Sequence, residues 1–98
     1  MEVTLDRKRQ YQLLIKPSAQ KELHKIPKLH QQRIHAEFDA LMRDPFIGKK
    51  LSGNLAGVYS VRVWPYRIAY FIVQRKLIIL VIAIRHRKDV YQVIEGKL

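Results

Sequence analysis

Residues 60–92 decide the fold of this chain, and they read SVRVWPYRIAYFIVQRKLIILVIAIRHRKDVYQ. Runs of β-branched, aromatic and aliphatic residues predict three strands, at 59–63, 66–73 and 77–84. Trp64-Pro65 separates the first two strands, and a polar turn of three residues separates the last two. Connections this short join antiparallel neighbours. The run at 77–84 is apolar throughout and therefore predicts the most buried strand.

Helical patterns fill the chain before these strands. After a first strand at 11–16, Pro17-Ser18 is expected to open a short helix with Ser18 as its cap, and Pro27 is expected to end it. A second helix is predicted over 28–43. Its apolar residues recur at i, i+4, i+7 and i+8, so they share one face: Ile34, Phe38, Leu41 and Met42.

The order β-α-α-β-β-β predicts an α+β fold, in which a helical hairpin packs on a curved, mainly antiparallel sheet and a short helical tail follows. With 98 residues, of which 48% are hydrophobic, the chain is expected to form one domain, 1–98. Residues 1–9 are expected to be a loose basic tail. Residues 46–57, which include Lys49 and Lys50, predict a loop.

The positive charge of the chain is large and uneven. The net charge is +11; residues 1–44 contribute +3 and residues 45–98 contribute +8. Such a balance indicates a polyanionic partner, either nucleic acid, the ribosome or an acidic protein. The longest apolar run has eight residues, whereas a membrane span needs about 20. No secretory signal is visible, so we expect a cytoplasmic protein that has no membrane partner.

The basic residues of the last third form the candidate site. The sequence has no paired carboxylates, no HxH, no P-loop and no GxSxG, so it predicts no metal and no cofactor. What remains is a set of cations with one tyrosine: Lys49, Lys50, Arg62, Arg67, Arg85, His86, Arg87 and Tyr91. Cleavage of a phosphodiester without a metal needs cations to hold the phosphate and a titratable group to move protons, and this set has both.

Four segments, taken in order, resemble one family. They are YQLLIKPSAQKELHKIP, a helix ending in DP, KKLSGNLAGVYSVRVWPYRIAYFIV and VIAIRHRKDVY, and they contain K-L-x-G, Y-R-I-x-Y and I-x-H-R-x-x-V-Y. Over residues 11–94 the chain resembles the RelE-like branch of the RelE/ParE superfamily of toxins. The resemblance implies the RelE-like fold and a toxin of a type II toxin–antitoxin system, neutralised by a cognate acidic, RelB-like antitoxin.

The resemblance also implies an enzyme, an mRNA interferase. Such toxins are metal-independent endoribonucleases that cut mRNA in the ribosomal A site. The ribose 2′-hydroxyl attacks the neighbouring phosphate and leaves a 2′,3′-cyclic phosphate and a 5′-hydroxyl. Catalytic positions of the family carry over to Arg62, Arg67, Arg87 and Tyr91. Many relatives have a lysine two positions before Arg62, where this chain has Ser60, so the general base stays open between His86 and a lysine of the Lys49-Lys50 pair.

The residue types suit these roles. Arg62 and Arg67 are expected to neutralise charge that develops on the phosphate oxygens. Histidine titrates near neutral pH, which makes His86 the expected proton carrier. Arg87 suits the leaving oxygen electrostatically, and Tyr91 is expected to stack on a base or orient the substrate. Other cations are expected to bind RNA or the ribosome: Lys49, Lys50, Arg85 and Lys88.

Two other functions stay open. One is a ParE-like, non-enzymatic inhibitor of DNA gyrase on the same fold, a class that lacks a full catalytic set. The other is a plain basic protein that binds RNA or the ribosome, which the charge alone would explain. The cluster IRHRKDVY at 84–91 favours the nuclease, because neither alternative requires a histidine and a tyrosine beside the arginines.

Overall fold

The computed structural model describes residues 10–86, which form two helices packed on one face of a five-stranded sheet. The elements are β1 (Gln12–Ile15), α1 (Pro17–His24), α2 (Lys28–Arg43), β2 (Lys49–Lys50), β3 (Tyr59–Val63), β4 (Tyr66–Val73) and β5 (Ile78–His86). The strand order is β1-β5-β4-β3-β2. Strand β1 runs parallel to β5 and the other neighbours are antiparallel. The predicted α+β fold is confirmed.

The helices lie where the sequence predicts them, but the first has a different cap. Helix α1 begins at Pro17, with Lys16 at the N-cap and no side-chain capping bond, so the expected Ser18 cap is wrong. The proline ring presets a helical φ, and its missing N–H costs nothing at the first helical position. In α2, Ile34 and Phe38 are buried on the face that the periodicity predicts.

The sheet contains one strand that the sequence did not predict. Lys49 and Lys50 were expected in a loop, but they form β2 and pair with Ser60 and Tyr59 of β3. Lysine has a low intrinsic strand preference, so this strand forms because β3 offers a pairing edge. The last strand is also shifted: it begins at Ile78 and continues to His86 instead of ending at residue 84.

Apolar side chains are buried on both faces of the sheet. The main core lies between the helices and the sheet and includes Tyr70, while a smaller cluster on the other face includes Ala69 and Ala83. The loop residues Leu51 and Leu55 pack against that smaller cluster. Most of β5 is buried, as predicted, because β1 and β4 flank it and apolar groups cover both of its faces.

The expected basic tail at 1–9 and the expected helical tail after residue 86 lie outside the described residues. Within residues 10–86, neither helix has the length and apolar character needed to cross a bilayer.

Candidate functional site

Three arginines lie side by side across β3, β4 and β5. Arg62 pairs with Arg67, and Arg67 pairs with Arg85. Directly opposed residues of antiparallel strands project from the same face of a sheet. Side chains alternate between faces along a strand, so all three arginines start from the face away from the helices. The Arg85 guanidinium turns to the sheet edge, where it contacts Glu22 of α1. We call Arg62, Arg67 and Arg85 the arginine row.

Two members of the arginine row line an open groove. Its volume is about 370 Å³, and it lies between β3, β4 and the segment that leads into β2. Arg62 is exposed there and Arg67 is half-buried. The other lining residues within the described range 10–86 are Ile47, Gly48, Lys49, Ser60 and Val61. None of these described lining residues is acidic, so they make this part of the groove electropositive; we call it the arginine groove.

The pairing of Arg62 with Arg67 favours an anionic ligand. Like charges placed directly opposite each other on neighbouring strands destabilise a sheet. Neither guanidinium has an ion-pair partner among residues 10–86. A phosphate between them would relieve the repulsion and accept charge-assisted hydrogen bonds from both planar donor groups.

Arg85, the third member of the row, has a carboxylate partner. Its Nη1 lies 3.3 Å from Oε2 of Glu22 in α1. Oε1 of the same carboxylate accepts a hydrogen bond from the Ile84 N–H at 3.0 Å. Strand β1 pairs with β5 only as far as Val81, so Glu22 occupies the edge of β5 beyond that point. No local sequence pattern indicates this contact, because Glu22 precedes Arg85 by 63 residues.

His86 lies at the end of β5, on the other face from the arginine row. It pairs with Tyr66 across the strands, and the two rings meet edge to face with centroids 6.3 Å apart. Tyr66 packs against the core on the helix side. His86 also lines a second cavity of about 290 Å³, together with Glu22 and Lys25 of α1. The structure therefore brings Arg62 and Arg67 together and places His86 around the end of the sheet from them.

The remaining predicted site residues divide into two groups. Lys49 opposes Ser60 and lines the arginine groove, whereas Lys50 opposes Tyr59 and does not line that groove. The others lie outside the described residues: Arg87, Lys88 and Tyr91.

A buried tyrosine holds the segment that precedes Lys49. The Tyr70 hydroxyl donates to the Pro45 carbonyl at 2.7 Å and hydrogen-bonds the backbone of Gly48. Burial raises the pKa of Tyr70 to about 12, so the hydroxyl stays protonated at neutral pH. A Cβ at Gly48 would collide with this hydroxyl, so only glycine fits here. Tyr70 thus fixes the entry to β2.

Ser60 is a buried polar residue in the wall of the arginine groove. It is 2% exposed, and its Oγ has no hydrogen-bond partner within residues 10–86. In the sequence, Ser60 stood out only because many relatives have a lysine at this position, and nothing there indicated that it is buried.

Residues 10–86 contain no group of three His, Cys, Asp or Glu side chains that could hold a metal ion.

Known proteins resemble this chain in both sequence and fold. A family model described as the ParE toxin of type II toxin–antitoxin system, parDE, matches residues 13–91. Toxin RelG of Mycobacterium tuberculosis (strain ATCC 25618 / H37Rv) is 31% identical over 84 residues, covering 84% of this chain and 97% of RelG.

Two solved toxin–antitoxin complexes contain chains of the same shape. In the RelBE2 complex from Mycobacterium tuberculosis the match has a TM-score of 0.73 and 31% identity and covers 80% of this chain and 99% of that one. In the archaeal RelE–RelB complex from Pyrococcus horikoshii OT3 the match has a TM-score of 0.67 and 25% identity. It covers 80% of this chain and 96% of that one. The chain belongs to the RelE/ParE superfamily of type II toxin–antitoxin toxins, as its sequence motifs predicted.

Proposed function

We propose that this toxin is a ribosome-dependent, metal-independent endoribonuclease that cuts mRNA in the ribosomal A site. The observation that carries the proposal is the pairing of Arg62 with Arg67 in a groove whose lining residues within 10–86 include no acidic one. Two guanidinium groups that have no counter-charge among the described residues are suited to a phosphate that gains negative charge during a reaction. The similarity to toxin RelG and to RelE chains supports the same activity.

The reaction requires charge stabilisation and two proton transfers. The 2′-oxygen attacks the adjacent phosphorus as its proton passes to a base, and the bond from phosphorus to the 5′-oxygen breaks. A second proton goes to the departing 5′-oxygen, so the products are a 2′,3′-cyclic phosphate and a 5′-hydroxyl. Arg62 and Arg67 donate to the non-bridging oxygens, and each such contact lowers the barrier by about 2–4 kcal/mol.

For the proton transfers we propose His86, with Arg87 at the leaving oxygen and Tyr91 against a base. His86 lies on the other face of the sheet from Arg67, so this role requires the RNA to bend around the sheet end at Tyr66. His86→Gln should then lower the single-turnover cleavage rate by about 10²-fold or more, the scale of a lost general acid or base. An unchanged rate would assign the proton transfer to another group.

The direct test is primer extension on cellular mRNA after the toxin is induced. We expect new 5′ ends inside translated reading frames, each with a 5′-hydroxyl, and none when translation initiation is blocked beforehand. Arg67→Ala should produce no new ends, whereas the exposed turn variant Arg75→Ala should produce the wild-type pattern. Growth arrest by the wild type without any new mRNA ends would contradict the nuclease proposal.

Cleavage on purified ribosomes should persist when EDTA is added at a concentration below that of the Mg²⁺ that keeps the ribosomes intact. Such EDTA removes transition metals, and the residues of the described chain that line the arginine groove include neither a histidine nor a carboxylate to ligate one. Loss of cleavage under these conditions, restored by added zinc or manganese, would contradict a metal-free mechanism.

A second candidate is inhibition of DNA gyrase, which the ParE description of the matching family model favours. A supercoiling assay with purified gyrase separates the two candidates. The nuclease proposal expects no inhibition by the wild type, and inhibition that survives Arg67→Ala would support the gyrase function instead.

A further inference from the structure

Ser60 carries a buried hydroxyl that no residue of the described chain hydrogen-bonds. It is 2% exposed in the wall of the arginine groove, and its Oγ has no hydrogen-bond partner within residues 10–86. A buried polar atom that is left unpaired destabilises a folded protein. An anion seated in the groove would give this hydroxyl an acceptor.

Lys49 stands directly opposite this serine. The pairing of β2 with β3 sets Lys49 against Ser60, and both residues line the groove with Arg62 and Arg67. Lys50, the next residue, is equally exposed but opposes Tyr59 and does not line the groove. The strand register therefore distinguishes two adjacent lysines that the sequence alone could not distinguish: only Lys49 lines the arginine groove.

A hydrogen bond from the buried core holds the backbone segment that leads to Lys49. The Tyr70 hydroxyl bonds the Pro45 carbonyl and the Gly48 backbone, and Gly48 immediately precedes Lys49. The ammonium group is carried on a flexible side chain, but its backbone attachment does not shift freely. Fixed backbone placement lowers the entropy that a lysine loses when it binds a ligand.

We propose that Ser60 and Lys49 complete an anion site with Arg62 and Arg67. The Ser60 hydroxyl donates a hydrogen bond to a non-bridging phosphate oxygen, and the Lys49 side chain supplies positive charge. The identity of the ligand as an RNA phosphate rests on the proposed function, whereas the anion site itself rests on the groove. In this arrangement Lys49 acts as a cation from β2 and not as the general base.

The first test uses inorganic phosphate and does not depend on cleavage. Titration of isotope-labelled toxin should shift the backbone amide signals of Ser60 and Lys49 with a saturable dependence. Ser60→Ala and Lys49→Ala should each raise the phosphate dissociation constant by about five- to tenfold, the scale of one charge-assisted hydrogen bond. Lys76→Ala, the matched control, removes an exposed lysine in the turn after β4 and should change the dissociation constant by about twofold or less, as a screened surface charge does.

The thermal midpoint separates a ligand role for Ser60 from a structural one. Because the hydroxyl has no partner in the described chain, Ser60→Ala should leave the midpoint unchanged or raise it. A lowered midpoint together with unchanged phosphate affinity would show that the serine serves the fold. Absence of saturable phosphate binding by the wild type would also overturn the proposal.

The second test moves the positive charge across the strand pair. In single-turnover cleavage on programmed ribosomes, Lys49→Ala should lower the rate by about 10²-fold, as loss of a transition-state contact does. Lys49→Arg should keep most of the rate, because charge and not proton transfer is required. Adding Ser60→Lys to Lys49→Ala should raise the cleavage rate about tenfold above that of Lys49→Ala alone. If Lys49→Arg is as slow as Lys49→Ala, the charge role is wrong.

The outcomes separate this site from the nuclease proposal. A wild type that binds phosphate through Ser60 and Lys49 but leaves ribosome-bound mRNA intact refutes the nuclease and retains the anion site. A wild type that cleaves mRNA while Ser60→Ala and Lys49→Ala bind phosphate and cleave normally refutes the anion site and retains the nuclease.

Discussion

At the scale of single residues, the three arginines of the arginine row differ in the charged groups that surround them. Arg62, Arg67 and Arg85 occupy one row across three strands. Arg85 is compensated by Glu22, whereas the other two have no acidic partner among residues 10–86. A guanidinium without a counter-charge is available to an anionic ligand, so the two uncompensated arginines are the stronger catalytic candidates.

We expect Arg67→Ala to lower the single-turnover rate of mRNA cleavage by about 10²–10³-fold while ribosome affinity changes little, because the contact is made to charge that develops in the transition state. Arg75→Ala is the control. Arg75 is exposed in the turn after β4, eight residues beyond Arg67. The strand from Arg67 to its end at Val73 alone spans about 20 Å. Its loss should weaken docking modestly and leave the rate on bound ribosomes unchanged. Wild-type cleavage by Arg67→Ala would show that the catalytic assignment is wrong.

Glu22 should contribute to stability mainly through its hydrogen bond to the backbone. Glu22→Ala leaves the Ile84 N–H without an acceptor and should lower the free energy of unfolding by about 1–3 kcal/mol. Glu22→Gln keeps an amide oxygen for that N–H and should cost about 1 kcal/mol or less, since a partly exposed ion pair contributes little. Urea unfolding of both variants measures the difference. Equal losses would mean that the charge of Glu22 outweighs its backbone contact.

At the scale of elements, the pairing of β2 and β3 builds one wall of the arginine groove. Strand β2 has only two residues, and so short a strand is stable only where neighbouring contacts hold its ends. The Tyr70 hydroxyl provides such a contact through Pro45 and Gly48. A side chain of the main core thereby determines where a lysine of the candidate site stands.

Tyr70→Phe should lower the free energy of unfolding by about 1–3 kcal/mol, because the Pro45 carbonyl loses its buried donor. Tyr59→Phe is the matched control: Tyr59 stacks on Tyr70, and none of the hydrogen bonds described among residues 10–86 involves its hydroxyl. Chemical denaturation at neutral pH measures both variants. Equal losses in the two would exclude a special role for the Tyr70 hydroxyl.

The same hydroxyl should make the stability of the fold sensitive to alkaline pH. Burial raises the pKa of Tyr70 to about 12, whereas tyrosine in an unfolded chain titrates near pH 10. The unfolded state therefore ionises first, so this contribution is fully present below about pH 10 and is lost as the pH rises towards about 12. Denaturation across that window should show a steeper loss for the wild type than for Tyr70→Phe. Parallel curves would assign the alkaline loss to other groups.

At the scale of the whole molecule, the excess of positive charge favours association with polyanionic partners. The chain carries a net charge of +11, and the arginine groove lies on the face away from the helices. Related toxins are known in complexes with antitoxins. An acidic, partly helical antitoxin segment that covers this face would mask the cations that a ribosome or an mRNA would otherwise bind.

Association with such an antitoxin should be fast and sensitive to salt. We expect the association rate constant to fall by on the order of tenfold or more between low and high ionic strength, while the dissociation rate changes less. The double variant Arg62→Ala with Arg67→Ala should associate more slowly than the wild type at low salt. Stopped-flow mixing measures both rates, and a salt-independent association rate would contradict electrostatic steering.

The sequence by itself determined both helices, four of the five described strands, the family and the proximity of the first two arginines. Helical and strand periodicities are local, so 28–43 and the three later strands were visible in the pattern of apolar residues. The tight Trp64-Pro65 link and the alternation of side chains along a strand were enough to predict that Arg62 lies beside Arg67. The register of β3 and β4 pairs these two residues.

Only the tertiary structure decided the partners and faces of the other site residues. The sequence ended the last strand at residue 84, so alternation was not extended to His86, which projects to the helix side. The Glu22–Arg85 pair, the strand at Lys49–Lys50 and the burial of the Ser60 hydroxyl all depend on segments distant in the chain. Local preference determines what a segment forms, whereas register and long-range packing determine what each side chain meets.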